Sequence, residues 1–286
     1  MGEILVIANR TVCGEKLLES MRAHAAAGSD VSFRFVVPAS KPSSGLVIYD
    51  DAVRAAAQAR VDLAAEMFAD AGLKATGEVG DEDPFLAAMD AIADSRPERV
   101  IISTYSTTHS GWLRRDLIGR IRNASGLPVE HVITDLEKEG LPFHATLVIA
   151  NKTAGGEELI EHLQAKAAAD SERHVFIAVV PLEDRSGGST ARAHERLEAL
   201  LASLRERDLL ASGMIGDPDP YTAVMNALDL FTVVDDIVIS TLPDERSGWM
   251  RARLIERVKA NAVRPVEHVV VSPQAPEDAE PAGAVS

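Results

Sequence analysis

Along the chain, short unbroken apolar runs alternate with longer stretches in which apolar residues return every three or four positions. The first pattern fits strands of a parallel sheet covered on both faces, and the second fits helices that cross over them. Runs at 4–8, 31–37, 74–79, 99–103 and 129–134 predict five strands, and runs at 146–150, 174–180, 210–215, 236–240 and 266–271 predict five more. Between them Val53, Ala57, Val61, Ala64 and Phe68 keep helical spacing. Phe85, Met89 and Ile92 do so after Asp83-Pro84, and Leu113, Leu117, Ile118 and Ile121 after Ser110-Gly111. Five strands and four helices per half follow, in the alternating order of an α/β fold.

The halves are copies. Leu5-Val6-Ile7-Ala8-Asn9-Arg10-Thr11 returns as Leu147-Val148-Ile149-Ala150-Asn151-Lys152-Thr153, and Ser110-Gly111-Trp112-Leu113-Arg114 as Ser247-Gly248-Trp249-Met250-Arg251. A separation of about 140 residues is too long for a solenoid and suits a small domain. Residues 1–135 therefore read as one domain, 136–144 as a linker, 145–272 as a second domain, and 273–286, rich in Pro, Ala, Glu and Asp, as a disordered tail. What both copies keep is a requirement of the fold; what one keeps alone points to function.

Composition narrows the classes. The 46% hydrophobic and 26% charged residues are those of a globular protein, and with 4% aromatics the cores must be aliphatic. A net charge of −15 argues against nucleic acid or an anionic membrane as partner, so any anionic ligand must be held locally. The lone Cys13 excludes an intrachain disulfide and fits a reducing compartment. The start reads directly into a strand rather than a signal peptide, and no apolar stretch reaches membrane-spanning length. A cytoplasmic location is expected.

In an open parallel sheet, ligands bind beyond the carboxyl ends of the strands where their order reverses. The candidates are Asn9, Thr11, Val37, Ser103 and Thr104, with Ser110 and Gly111 opening the next helix. Their counterparts are Asn151, Val180, Ser240, Thr241, Ser247 and Gly248, with Thr153 matching Thr11.

These residues, with Gly80-Asp81-Glu82-Asp83-Pro84 and Gly216-Asp217-Pro218-Asp219-Pro220 before the third helices and Pro128-Val129 and Pro265-Val266 opening the last strands, resemble the universal stress proteins in tandem. The resemblance covers the chain to Ser272 and implies two doubly wound, five-stranded parallel-sheet domains of Rossmann-like form. It implies ATP or another adenine nucleotide as ligand, since ATP-binding members place Asp after strand one and a glycine-rich turn after strand four. Glycine there lets backbone N–H groups turn toward phosphate. This chain has Asn9 and Asn151 in place of the acid, and hydroxyl residues at 103, 104 and 106–108 in place of glycines. The resemblance also implies pairing of the last strands, 129–134 against 266–271, about a pseudo-twofold axis, with further homo-oligomerisation open.

The copies differ at the loop after strand four. Tyr105 to His109 is neutral and hydroxyl-rich, with Arg114, Arg115 and Arg120 following, whereas Asp244 and Glu245 would oppose a phosphate. A nucleotide is expected mainly in the first copy. Asn9 and Asn151 read either as turn caps or as contacts to a base or ribose. Ser103, Thr104 and Ser110 read as turn and cap chemistry that could also serve phosphate. Trp112, Trp249, His131 and His268 read as packing residues. No nucleophile–base–acid set, phosphate-loop lysine, metalloprotease motif or cysteine pair appears in the sequence. The expected function is a non-enzymatic stress-response or regulatory protein with an unidentified protein partner. The alternatives are a scaffold that has lost nucleotide binding and a slow ATP hydrolase.

Overall fold

The computed structural model describes residues 2–28, 30–39, 50–105, 111–114, 116–139, 141–170, 173–231, 234–243 and 248–272. The first half runs β1 (Gly2–Ile7), α1 (Glu15–Ala27), β2 (Val31–Pro38), α2 (Asp50–Asp70), β3 (Ala75–Gly80), α3 (Pro84–Ser95), β4 (Arg99–Thr104), α4 (Gly111–Arg114), α5 (Leu117–Ser125) and β5 (Val129–Ile133). A short α6 (Leu136–Glu139) leads to the second half. That half runs β6 (His144–Ile149), α7 (Glu157–Ala169), β7 (His174–Pro181), α8 (Gly187–Arg205), β8 (Leu210–Gly216), α9 (Pro220–Leu230), β9 (Asp236–Thr241), α10 (Gly248–Arg251), α11 (Leu254–Asn261) and β10 (Val266–Val270).

Each half is a five-stranded parallel sheet, ordered β3-β2-β1-β4-β5 in one and β8-β7-β6-β9-β10 in the other. The order reverses between β1 and β4 and between β6 and β9, so each half is doubly wound with a crevice above those strand ends. All ten predicted strands are present, within two residues of their expected ends. The helix expected after strand four is two pieces in each copy. Asp116 (φ 47°) breaks it in the first half and Arg253 (φ 53°) in the second. Residues 106–109, Ser110, Arg115, Asp244, Glu245, Ser247 and the tail at 273–286 lie outside the described residues.

The Gly-Asp-x-Asp-Pro motif is explained by construction. A Cβ on Gly80 would lie 2.6 Å from Val36 and 2.7 Å from Ala87, so only glycine lets α3 come this close to the sheet. Asp83 then caps α3, its carboxylate accepting from the Phe85 N–H at 2.8 Å, and Pro84 occupies the first turn, where its missing N–H costs nothing. Gly216, Asp219 and Pro220 repeat the device on α9.

The halves do not meet through their last strands. Among the described residues β5 pairs with β4 alone and β10 with β9 alone, each at a sheet edge. Instead α2 lies between the sheets. Its face carrying Ala57, Ala64 and Phe68 covers β2 and β3, with Phe68 meeting the Phe35 ring edge-on at 5.2 Å. Its other face packs on β8 and α9. There Arg60 donates to the Leu230 carbonyl at 3.1 Å, and Asp62 accepts from Ser212 Oγ at 3.1 Å. One apolar cluster thus runs from β1 and α1 through α2 into β6, β7, α9 and α11, and separate clusters line the outer face of each sheet.

This contact is heterologous. A twofold would require α8 to pack on β3 as α2 packs on β8, and among the described residues no comparable packing joins them. The sequence carries the consequence. Aligned through Gly80 and Gly216, the second stripe of α2, Ala56, Ala59, Leu63 and Met67, corresponds to Arg192, Glu195, Ala199 and Ser203 of α8. The first four are buried and the others face solvent wholly or partly. On the receiving surface Ile177, Met214 and Leu230 lie under α2. Their counterparts Arg34, Glu78 and Asp94 form an ion cluster, with Arg34 bonding Glu78 at 2.8 Å and Asp94 at 2.6 Å. Charge closes the surface that apolar residues open in the other copy. The segment expected as a linker joins this seam, burying Leu136 and Phe143.

Candidate functional site

The two crevices share their framework. After β1 and β6 the chain turns tightly, Val12 N–H donating to the Asn9 carbonyl at 3.2 Å and Ala154 N–H to that of Asn151 at 3.1 Å. Thr11 Oγ1 then donates to the Ser103 carbonyl at 3.1 Å, and Thr153 Oγ1 to that of Ser240 at 3.2 Å. These buried hydroxyls stitch the turn to the neighbouring strand end. Thr104 Oγ1 lies 2.9 Å from His131 Nε2, and Thr241 Oγ1 lies 2.8 Å from His268 Nε2. The histidines are thus held within the fold, and burial keeps the His131 imidazole below its ordinary pKa.

Ser103 Oγ lies 3.3 Å from Thr134 Oγ1, whereas Ser240 Oγ is buried without a partner among the described residues, Val271 standing where the first copy has Thr134. The Val37 and Val180 side chains are fully buried, so only their backbone could meet a ligand. Gly111 and Gly248 open α4 and α10. Trp112 packs partly buried against the outer cluster of the first half, and Trp249 partly buried against the cluster the two halves share.

The crevices part at the asparagines. In the second half Asn151 Nδ2 donates to the Pro181 carbonyl at 2.8 Å, and its Oδ1 accepts from Arg196 of α8. Arg196 also bonds Glu183 at 3.0 Å, which Arg192 reaches at 3.0 Å and Lys152 at 3.8 Å. Hydrogen bonds from Arg196 and then Arg192, outweighing desolvation, hold the Glu183 carboxyl below its usual range. This network spans the second crevice with its own groups.

In the first half the counterpart of Arg196 is Arg60, which turns the other way. It is 6% exposed, donates to Leu230 of the other half, and lies 5.6 Å from the Phe231 ring centroid. With Arg60 drawn into the seam, Asn9 Oδ1 is buried without a hydrogen-bond partner among the described residues. Arg10, the counterpart of Lys152, has no carboxylate partner among the described residues. Arg10, Cys13, Arg60, Phe143 and Phe231 border a seam cavity of about 40 Å³. Burial and then the nearby Arg10 push Arg60 down to about 10, and burial pushes the Cys13 thiol up to about 12, leaving it unreactive.

Position alone thus located Asn9, Asn151, Ser103, Thr104, Ser240 and Thr241 at the strand ends, while Arg60, Arg196 and Glu183 went unsingled. The signal for the arginines was their matched place in the second helix of each copy. No helix among the described residues is long and apolar enough to cross a membrane.

No family model matches the chain, and no curated protein does. Among solved structures, a universal stress protein from Archaeoglobus fulgidus is 16% identical and aligns over 47% of this chain and 99% of its own, with a TM-score of 0.36. A second, from Archaeoglobus fulgidus DSM 4304, is 16% identical over 94% of this chain and 96% of its own, with a TM-score of 0.33. A putative universal stress protein from Pseudomonas aeruginosa UCBPP-PA14 is 16% identical over 95% of this chain and 93% of its own, with a TM-score of 0.31. The doubly wound assignment comes from the strand order itself.

Proposed function

We propose that this chain is a non-enzymatic, cytoplasmic regulatory protein of the stress-response kind, holding one adenine nucleotide in the crevice of its first half. The observation that carries the reading is the buried Oδ1 of Asn9, partnerless among the described residues, in contrast to Asn151, which is engaged at both ends. A buried acceptor without a donor costs about 1–3 kcal/mol, and an amino or hydroxyl group of a ligand would remove that cost. Arg10 adjoins it, and an anion would suit its charge. The second half has already satisfied the equivalent groups with Arg196 and Glu183. Ligand would stabilise the turn after β1 and the chain after β4, altering the surface offered to a partner protein.

A scaffold without ligand is favoured by a different observation. The hydroxyls of Thr11, Ser103 and Thr104 are all engaged within the fold. Denaturing the purified protein and assaying the supernatant for nucleotide, followed by calorimetric titration with ATP, separates the two readings. The nucleotide reading expects one equivalent per chain, lost in Asn9→Leu and kept in Asn151→Leu. No released nucleotide, no heat and no thermal shift would leave the scaffold.

A further inference from the structure

At the end of the second sheet opposite its own crevice, four polar residues converge. His144 opens β6, His174 opens β7, Asp236 opens β9, and Asp170 follows α7 as its C-cap. Their hydrogen bonds fix where the protons lie. Thr146 Oγ1 donates its single proton to Asp236 Oδ1 at 2.7 Å, so at 2.7 Å from His174 Nε2 it can only accept. His174 therefore carries a proton on Nε2. His144 Nε2 lies 3.0 Å from the other Asp236 oxygen and donates in the same way. One carboxylate thus orients both rings, leaving a lone pair at each Nδ1 in the neutral imidazoles. Lys166, 2.8 Å from Asp236, balances that carboxylate's charge.

The consequence falls on Asp170, whose Oδ2 lies 2.5 Å from His174 Nδ1. At that distance a lone pair and a carboxylate oxygen must share a proton, or move apart around a metal ion whose nitrogen and oxygen ligands stand about 2.0–2.2 Å from it. A proton held there, on the ring or on the carboxyl, lies in a site where the His174 side chain is 1% exposed and its ring is 4.7 Å from the His144 ring and 4.5 Å from Phe176, and metal binding would release it. A divalent metal ion meets the same need with ligands already gathered. His144, Asp170 and His174 each offer a ligand atom within 4.8 Å of the others. Two imidazoles oriented by a carboxylate, with a second carboxylate as third ligand, suit zinc or cobalt rather than calcium or magnesium. The first copy has Gly2, Val31 and Gly28 at the positions of His144, His174 and Asp170, and Ile4 and Arg99 at those of Thr146 and Asp236. The fold therefore does not require the cluster.

We propose that His144, Asp170 and His174 form a divalent transition-metal site at the amino-terminal edge of the second sheet. The test is titration of the full-length, chelator-treated protein with Co²⁺, followed by visible absorption, with Zn²⁺ added afterwards. One equivalent of Co²⁺ should give the strong ligand-field bands of low coordination, and Zn²⁺ should abolish them. His144→Ala and Asp170→Asn should remove the signal, and His268→Ala should leave it. Thr146→Val, which touches only the orienting network, should weaken binding about 10–100-fold. Because His144 is partly exposed, its variant should fold even where His174 variants fail. Absence of these bands in the wild-type protein, or bands unchanged in both His144→Ala and Asp170→Asn, would overturn the proposal. So would nitrogen chemical shifts showing a doubly protonated His174 that Zn²⁺ does not alter.

Discussion

Exchanging one residue between the copies separates the two sides of the seam. Met214 is 1% exposed beneath α2, and its counterpart Glu78 has a side chain 43% exposed, paired with Arg34. Met214→Glu would put a carboxylate into an apolar layer containing Ile177 and Leu230, in a seam whose Arg60 is already committed to the Leu230 carbonyl. An uncompensated buried charge costs about 3–5 kcal/mol, or the carboxyl stays protonated at a comparable cost through its raised pKa. Glu78→Met removes only an exposed ion pair, about 0–1 kcal/mol. A loss of about 4 kcal/mol should lower the melting temperature by roughly 10 °C in a chain of this size, where each kcal/mol moves it by a few degrees. Urea and thermal unfolding monitored by circular dichroism would measure both variants. Equal effects of the two exchanges, or a harmless Met214→Glu, would refute the unequal packing.

Replacing Arg34, Glu78 and Asp94 together by Ile, Met and Leu would give the first copy the surface that receives α2 in the second. The variant should self-associate, seen as a rise in mass by light scattering, because a contiguous apolar patch is exposed. Asp83→Ala should cost about 1 kcal/mol in urea unfolding through loss of the α3 cap. Glu130, despite its desolvation, is held below its usual range by bonds from Ser20 at 2.5 Å and His24 at 2.7 Å. A depressed carboxylate adds stability above its unfolded pKa of about 4.3, which is lost as pH falls through the folded value. Glu130→Gln should accordingly flatten the stability profile below that pH and leave less effect on the acid side.

Strand positions were legible because buried parallel strands write unbroken runs of Val, Ile and Leu, and because each run occurs twice; the doubly wound order came only with the family resemblance. The seam was not, although its signature is present. The stripe of Val53, Ala57, Val61, Ala64 and Phe68 marked one face of α2, while Ala56, Ala59, Leu63 and Met67 left the helix apolar on a second. A helix buried on two sides belongs between two layers, and its polar counterpart in α8 already ruled out a symmetric pair. The candidate site was legible in position and less so in content. Whether a hydroxyl such as Thr11 serves a ligand or a neighbouring carbonyl depends on distances that residue type does not encode. Arg60 and Arg196 hold matching places in sequence, and the seam alone sends them in opposite directions.

That α2 of one copy lies on β8 of the other is most directly tested by cross-linking. Asp62 and Ser212 face each other there at 3.1 Å. With Cys13→Ala as background, Asp62→Cys with Ser212→Cys treated with a short bismaleimide should give an intramolecular link in monomeric protein, located by mass spectrometry. A link between cysteines replacing Glu130 and Glu267 on the two last strands, with none between positions 62 and 212, would contradict the account.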